Sequence, residues 1–149
     1  MGSTKERQYR AIDHFWETIP PLWNTIRQHI RAEATGRFDI SVEQFHVLRF
    51  VRRGMSISEL ATAKNLSRPA ISQAVDVLVN KGLLTRTQSA SDRRYVELTL
   101  TQEGNSLLDS VFRETRAWMK ERMQDLTEEE LDNIVNAMTS LKKMLGQNT

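Results

Sequence analysis

Apolar residues recur every three or four positions along much of the chain, which is the spacing of one face of an α-helix. The first such stretch runs from Tyr9 to Ala34 and contains Pro20 and Pro21. Because a proline in a helix interior removes a hydrogen-bond donor and clashes with the preceding turn, we predict a kinked or broken first helix. Residues 36–40 are predicted to form a short loop after it.

Three capping boxes, each a Ser or Thr three positions before a Glu or Gln, predict where later helices begin. They are formed by Ser41 with Gln44, Ser56 with Glu59 and Thr127 with Glu130. Ser67 predicts a fourth helix start, with Pro69 tolerated in its first turn, and Gly54 and Gly82 predict helix ends. The three central helices are those that follow Ser41, Ser56 and Ser67. Their predicted inward residues are Val42, Phe45, Leu48 and Val51, then Ile57, Leu60 and Ala61, then Ile71, Ala74, Val75 and Leu78.

The pattern changes to strict alternation over residues 83–88 and 94–100, which predicts two strands. Residues 89–92 between them are predicted to form the tip of a hairpin. Helical spacing then returns in two stretches, carried by Leu108, Phe112, Thr115, Met119 and Met123, and by Leu131, Ile134, Met138, Leu141 and Leu145. A short helix, a turn at Asn65 and Leu66, a longer helix and a hairpin is the order of a winged helix-turn-helix. We predict a mainly α fold with a small β-hairpin wing.

Composition narrows the class of protein. With 149 residues the chain suits one compact domain, and the absence of cysteine excludes disulfides and thiolate chemistry. No apolar run approaches the roughly 20 residues that span a bilayer, so we expect a cytoplasmic protein with no membrane partner. The first 100 residues carry 15 basic and 10 acidic side chains, whereas the last 49 carry 6 and 9, which suits a basic binding face and a separate acidic helical part.

The helix that follows Ser67 has a polar face suited to DNA. Pro69, Ser72, Gln73 and Asp76 are predicted to lie opposite the apolar face, with Arg68 at the edge. Such a helix fits the major groove, where Gln pairs with adenine, Arg with guanine or phosphate, and Ser with several bases. The alternative is an ordinary solvated face. Ser56, Ser67 and these five residues are the predicted DNA contacts on the two helices.

The predicted hairpin tip carries Asp92, Arg93 and Arg94. A guanidinium on a projecting β-ribbon can enter the minor groove, where the potential is most negative, and a neighbouring carboxylate can hold it extended. We predict that these three residues complete the DNA-binding site; a flexible basic loop without a partner is the alternative.

Five segments in this order resemble the multiple-antibiotic-resistance regulator (MarR) family. They are residues 56–61, 66–73, 78–84, 92–94 and 98–104, preceded by Ile40-Ser41 with Gln44-Phe45 and Val47-Leu48. The resemblance implies a sequence-specific regulator, a repressor released by an effector, formed as a homodimer on a pseudo-palindromic operator. It divides a single domain of residues 1–149 into a DNA-binding lobe (41–100) and dimerisation helices (9–34 and 102–146).

The resemblance also implies a cavity between the dimer base and the DNA-binding lobe for small aromatic or phenolic anions. Trp16, Trp23, Phe45, His46 and Arg49 lie on the helices that would flank it and offer stacking surface and cationic donors. Core packing, or for His46 and Arg49 a solvated edge, is the alternative.

Three other functions were weighed. A metal-responsive regulator would have to use His14, His29 or His46, which have no partner histidine at helical spacing, and we predict no metal and no cofactor. No glycine-rich phosphate loop or nucleophile motif indicates an enzyme, so we predict no catalytic residues. A winged helix used for protein contacts or for DNA architecture without sequence preference remains open.

Overall fold

The computed structural model describes residues 3–64, 67–88 and 96–146, with only the backbone of 57, 63 and 64. Its elements are α1 (Thr4–Phe38), α2 (Val42–Arg52), α3 (Ile57–Lys64), α4 (Arg68–Asn80), β1 (Leu84–Gln88), β2 (Val96–Leu100), α5 (Gln102–Arg122) and α6 (Glu128–Met144). The predicted mainly α fold with a two-stranded hairpin is confirmed. Asn65, Leu66 and residues 89–95, which include the predicted turn and hairpin tip, lie outside the described residues.

The predicted capping boxes are present. The Gln44 amide donates to Ser41 Oγ at 3.1 Å, and the Ser41 amide donates to Gln44 Oε1 at 3.0 Å. Ser56 with Glu59 and Thr127 with Glu130 make the same reciprocal bonds. A fourth box, Ser3 with Glu6, begins α1 at Thr4. The sequence shows that pattern as well, so the prediction that α1 starts near Tyr9 was late by about one turn.

The first helix was predicted to be kinked or broken, and the second of these alternatives was wrong. Helix α1 is continuous through Pro20 and Pro21 for 35 residues. The two prolines leave only the carbonyls of Trp16 and Glu17 without an amide donor. Both residues are exposed, so water can satisfy these carbonyls, and the cost of the prolines is small enough for the helix to continue.

The predicted loop after α1 is also shorter than expected. Gly36 lies within the helix, which ends at Phe38 and is capped by Asp39 with φ 51° and ψ 45°. Aspartate tolerates this left-handed conformation better than most residues, so Asp39 rather than the glycine ends α1. The Lys81 ammonium donates to both the carbonyl and the carboxylate of Asp39, at 3.2 Å from Oδ2, and so ties the end of α4 to this turn.

The hydrophobic core lies within the first of two compact units, Met1–Thr115. All predicted inward residues of α2 are buried, as are Leu60, Ala61, Ile71, Val75 and Leu78, and Ala74 is partly buried. The side chain of Ile57 lies outside the described part of the chain. Leu107, Leu108 and Val111 of α5 complete the core. Helix α4 is therefore held by its apolar face, with its polar face outward.

The wing is antiparallel and is anchored at its base. Leu84 pairs with Leu100, Arg86 with Leu98 and Gln88 with Val96. At the base, Thr101 Oγ1 donates to the Gly82 carbonyl at 2.7 Å and accepts from the Gly104 amide at 3.0 Å. The Thr101 amide also donates to the Leu83 carbonyl at 3.2 Å. Thr101 thus joins the end of α4, the wing and the first turn of α5.

The second compact unit, Arg116–Thr149, has no buried residue on α6. Leu131, Val135, Met138 and Met144 are exposed large apolar residues of this helix, and Val135 is 62% exposed. In the first unit, α1 likewise exposes Ile12, Trp16, Leu22 and Trp23. Apolar stripes at helical spacing that one chain leaves uncovered are typical of an interface.

Candidate nucleic-acid interface

The polar face of α4 is solvent-exposed, as predicted. Ser67 Oγ accepts from the Ala70 amide at 3.3 Å and caps the helix. Arg68, Pro69, Ser72, Gln73 and Asp76 are all exposed, while Ile71, Val75 and Leu78 behind them are at most 1% exposed. A helix presenting polar side chains on one face and buried on the other has the geometry that enters a major groove.

Asp76 differs from its neighbours because it has an ionic partner on the wing. Arg86 Nη2 of β1 lies 2.9 Å from Asp76 Oδ1, and the two side chains are 39% and 58% exposed. The pair connects α4 to β1 on the outer surface. Sequence analysis did not select Arg86, because an ion pair between residues on different elements leaves no spacing signal.

The wing tip itself falls beyond the described residues. Asp92, Arg93 and Arg94 are all in that part of the chain, so their assignment stays a prediction. Within the described hairpin, Val96, Glu97 and Thr99 are exposed while Leu98 and Leu100 pack partly against the core.

Ser56 has a structural role that the structure does describe. Its hydroxyl accepts from the Glu59 amide at 3.2 Å, and its amide donates to Glu59 Oε2 at 2.7 Å. Hydrogen bonding of the Glu59 carboxylate to the Ser56 amide, and secondly to the Ser56 side chain, lowers the pKa of Glu59, because it favours the ionised carboxylate. The capping box fixes the start of α3, the helix against which α4 packs.

A pocket of about 250 Å³ lies behind α4. Its lining residues come from four helices: Arg27 of α1, Val42, Glu43, His46 and Val47 of α2, Leu60 of α3, and Ala70, Ile71 and Ala74 of α4. The lining is mainly apolar, with Arg27, Glu43 and His46 as its polar groups. Such a composition suits a small ligand with an apolar body and a few polar atoms.

Of the five residues predicted to bind a ligand, only His46 lines this pocket. Phe45 is fully buried in the core, where its ring centre lies 5.8 Å from that of Phe112. Trp16 and Trp23 are 67% and 45% exposed on α1. The structure does not bring the five residues together, and it adds Arg27, which sequence reasoning missed although it follows Trp23 by one helical turn.

Arg49 lies away from the pocket, beside Phe112. Its guanidinium carbon is 5.9 Å from the Phe112 ring centre, and that of Arg52 is 5.4 Å from the same ring. Partial burial lowers the pKa of Arg49, and the neighbouring charges of Arg53 and Arg52 lower it further. Arginine nevertheless stays protonated at physiological pH, so this edge of α2 is cationic.

Across 3–64, 67–88 and 96–146, no three His, Asp or Glu side chains are grouped closely enough to hold a metal ion. No helix in those same ranges has the length and apolar character needed to cross a membrane.

Helix α4 is buried on its apolar face and exposed on its polar face, is braced by α3 and is followed by an anchored hairpin. This arrangement defines a winged helix-turn-helix DNA-binding protein. Comparison with known proteins identifies the family. The MarR family profile matches residues 40–96. The HTH-type transcriptional repressor MdtR of Bacillus subtilis is 30% identical over 127 residues, covering 82% of each chain. The chain belongs to the MarR family, whose members are transcription regulators and not enzymes.

Solved structures share the fold. A MarR family protein from Bacillus stearothermophilus superposes with a TM-score of 0.78 at 17% identity, covering 93% of this chain and 97% of that one. Streptococcus pneumoniae FabT, solved in complex with DNA, gives 0.68 at 23% identity, again over 93% of this chain and 97% of that one. At such low identity the likeness concerns the fold alone.

Proposed function

We propose that this protein is a sequence-specific repressor that binds operator DNA and is released from it by a small effector molecule. The observation that carries the proposal is the solvent-facing surface of α4, which presents Arg68, Ser72 and Gln73 above a fully buried apolar face. The relative MdtR is a repressor by name, which supports repression rather than activation. Selection of bound sequences from a random DNA pool tests the proposal by returning an operator.

The proposed DNA contacts divide between two parts of the lobe formed by residues 41–100. Ser67, Arg68, Pro69, Ser72 and Gln73 of the helix region meet the major groove, and Asp92, Arg93 and Arg94 of the wing tip meet the minor groove. Ser56, which caps α3, would meet the DNA backbone in this arrangement. Equal competition by scrambled DNA would favour an architectural protein instead.

Gln73→Ala is expected to relax base preference at one operator position, because a glutamine amide makes a bidentate contact with adenine. The loss of discrimination at that position should be about 1–3 kcal/mol. Competitive binding to a set of operators that differ at single positions measures it.

Gln124→Ala is the matched control, since Gln124 is an exposed glutamine of the second unit. Its sequence preference should equal that of the wild type. A Gln73→Ala protein that keeps full preference at every position would contradict the placement of α4 in the groove.

We further propose that the protein acts as a homodimer on a pseudo-palindromic operator. Dimerisation would use the helices of residues 9–34 and 102–146, whose exposed apolar side chains include Trp16, Leu22 and Val135. Two identical lobes would then read half-sites about 10 base pairs apart. Such a protein would act in the cytoplasm, where the operator is found.

The proposed effector site is the pocket behind α4. Three of its lining residues, Ala70, Ile71 and Ala74, belong to the recognition helix itself. A ligand that fits only when α4 is displaced would stabilise a conformation with the wrong spacing between lobes and so release DNA. Apolar walls with Arg27 and His46 as donors support a small aromatic or phenolic anion, and the Glu43 carboxylate would accept from a hydroxyl group on it.

His46→Ala should raise the concentration of salicylate or benzoate needed for half-release of operator DNA by about tenfold, because it removes one polar partner of the anion. Fluorescence anisotropy with labelled operator measures the release. His14→Ala provides the control, as His14 is 72% exposed on α1. Equal responses in the two variants would place the effector site elsewhere.

A further inference from the structure

The ion pair between Asp76 and Arg86 joins the two parts of the lobe that meet DNA in the proposed function. Asp76 is the only acidic residue of α4 (Arg68–Asn80), and it lies on the exposed face, one turn from Ser72 and Gln73. Arg86 is the third residue of strand β1. The distance of 2.9 Å between Arg86 Nη2 and Asp76 Oδ1 brings the guanidinium onto the surface that α4 presents.

The strand explains why Arg86 reaches that surface. Side chains two positions apart share one face of a strand, and Leu84, two residues before Arg86, is 1% exposed in the core. Leu98, the partner of Arg86 across the hairpin, is partly buried against the same core. Arg86 therefore lies on the same face of the wing as Leu84, beyond the edge of the core and beside α4.

The chemistry of the pair argues for a role in binding DNA. A carboxylate on a DNA-facing helix is repelled by phosphates, unless it accepts from cytosine or is neutralised by a cation. Arginine carries five N–H donors in a planar fork. The contact with Asp76 uses Nη2, and the Arg86 side chain remains 39% exposed. An anchored, partly exposed guanidinium is pre-organised for a phosphate because less side-chain freedom is lost on binding.

We propose that Arg86 binds a phosphate of the operator backbone and that Asp76 is a positioning residue, which acts on DNA through Arg86 and does not read a base. This inference rests on the proposed function. Asp76, selected from the sequence as a direct DNA contact, is thereby reassigned to positioning Arg86. Arg86 is added to the proposed DNA contacts.

Asp76→Ala is expected to affect operator affinity differently in the wild type and in an Arg86→Met protein. In the wild type, Asp76→Ala should weaken operator binding several-fold, since Arg86 loses its anchor. In an Arg86→Met protein the same substitution should leave affinity unchanged or improve it, since only repulsion between the carboxylate and DNA is then removed. A direct base reader would instead weaken binding equally in both backgrounds and relax preference at one operator position.

The experiment is a double-mutant cycle on operator affinity, measured over a range of salt concentrations. Arg86→Met, which keeps an unbranched stem, should weaken binding about tenfold and reduce the magnitude of the salt slope by about one, as expected for one lost phosphate contact. All variants should melt close to the wild type, because an exposed ion pair contributes little to folding. A structural role alone would shift melting and leave the salt slope unchanged.

Asp109→Ala is the matched control for Asp76→Ala. Asp109 also pairs with an arginine, Arg52, at 2.6 Å, and is 66% exposed on another helix. Its removal should have the same effect on operator affinity in the wild type and in the Arg86→Met background. Additive losses in the cycle, tighter binding by Asp76→Ala in the wild type, or an unchanged salt slope for Arg86→Met would overturn the inference.

Measurement of the wild type on the operator and on a scrambled duplex separates this inference from the proposed function. Equal affinity for the two duplexes contradicts the proposed function and the inference together. Preference for the operator combined with additive losses contradicts the inference alone.

Discussion

Gly104→Ala should destabilise the protein by about 3 kcal/mol, near the upper end of the cost of overpacking. A Cβ atom at this position would overlap the carbonyl oxygen of Leu83 and lie 2.9 Å from Leu100 Cδ2. The Leu83 carbonyl cannot move away cheaply, because it is backbone and accepts from the Thr101 amide at 3.2 Å. The clash must therefore separate α5 from the base of the wing.

Thermal unfolding measures this effect. A loss of about 3 kcal/mol should lower the melting temperature by roughly 6–12 °C for a chain of this size. Operator affinity should fall as well, because the same junction holds the wing to the end of α4. The prediction fails if Gly104→Ala melts within about 2 °C of the wild type, a shift that corresponds to less than about 1 kcal/mol.

Gly36→Ala is the matched control. Gly36 lies inside α1, and a Cβ atom there would have nothing within 4 Å. Alanine has the higher helix propensity, so this substitution should stabilise the protein by up to about 1 kcal/mol. The same chemical change is thus expected to have opposite signs at the two glycines.

Val135→Asp should convert the proposed dimer into a monomer and weaken operator binding by at least about 100-fold. Val135 is 62% exposed on α6, which has no buried residue in the isolated chain. A dimer with a two-fold axis would carry the new carboxylate twice, and burying an unpaired charge costs several kcal/mol at each copy. A single lobe then binds one half-site, without the gain from simultaneous engagement of two.

Sedimentation equilibrium and operator titration together measure this outcome. Fold stability should change little, because an exposed side chain contributes little within one chain. Asn133→Asp adds the same charge to the opposite, exposed face of α6 and should leave both assembly and affinity unchanged. A Val135→Asp protein that still sediments as a dimer would show that α6 does not form the interface.

Local signals in the sequence predicted most of the fold. Capping boxes such as Ser41 with Gln44 require only residues three positions apart, and the inner face of α4 requires only helical spacing. Both are short-range properties, and the structure confirms them. The turn at Asp39 and the passage of α1 through Pro20 and Pro21 depend instead on conformational tolerance and on exposure of nearby carbonyls, which spacing does not reveal.

The candidate site was predicted less completely than the fold. The exposed face with Ser72 and Gln73 followed from periodicity, whereas Arg86 and Arg27 reach their positions through packing between elements far apart in sequence. The aromatic residues Trp16, Trp23 and Phe45 share helices with the pocket but not its lining. Of the five residues selected from α1 and α2, only His46 lines the pocket, because helical spacing does not show which neighbouring element a side chain faces.

The pocket behind α4 shares Ala70, Ile71 and Ala74 with the helix proposed to read the operator. If effector and DNA favour different positions of that helix, their binding free energies are linked, and thermodynamic reciprocity fixes the size of the effect in both directions. An effector that weakens operator binding 50-fold must itself bind 50-fold more weakly to the DNA-bound protein. The effector concentration that releases operator DNA would then exceed the dissociation constant of the effector for the DNA-free protein.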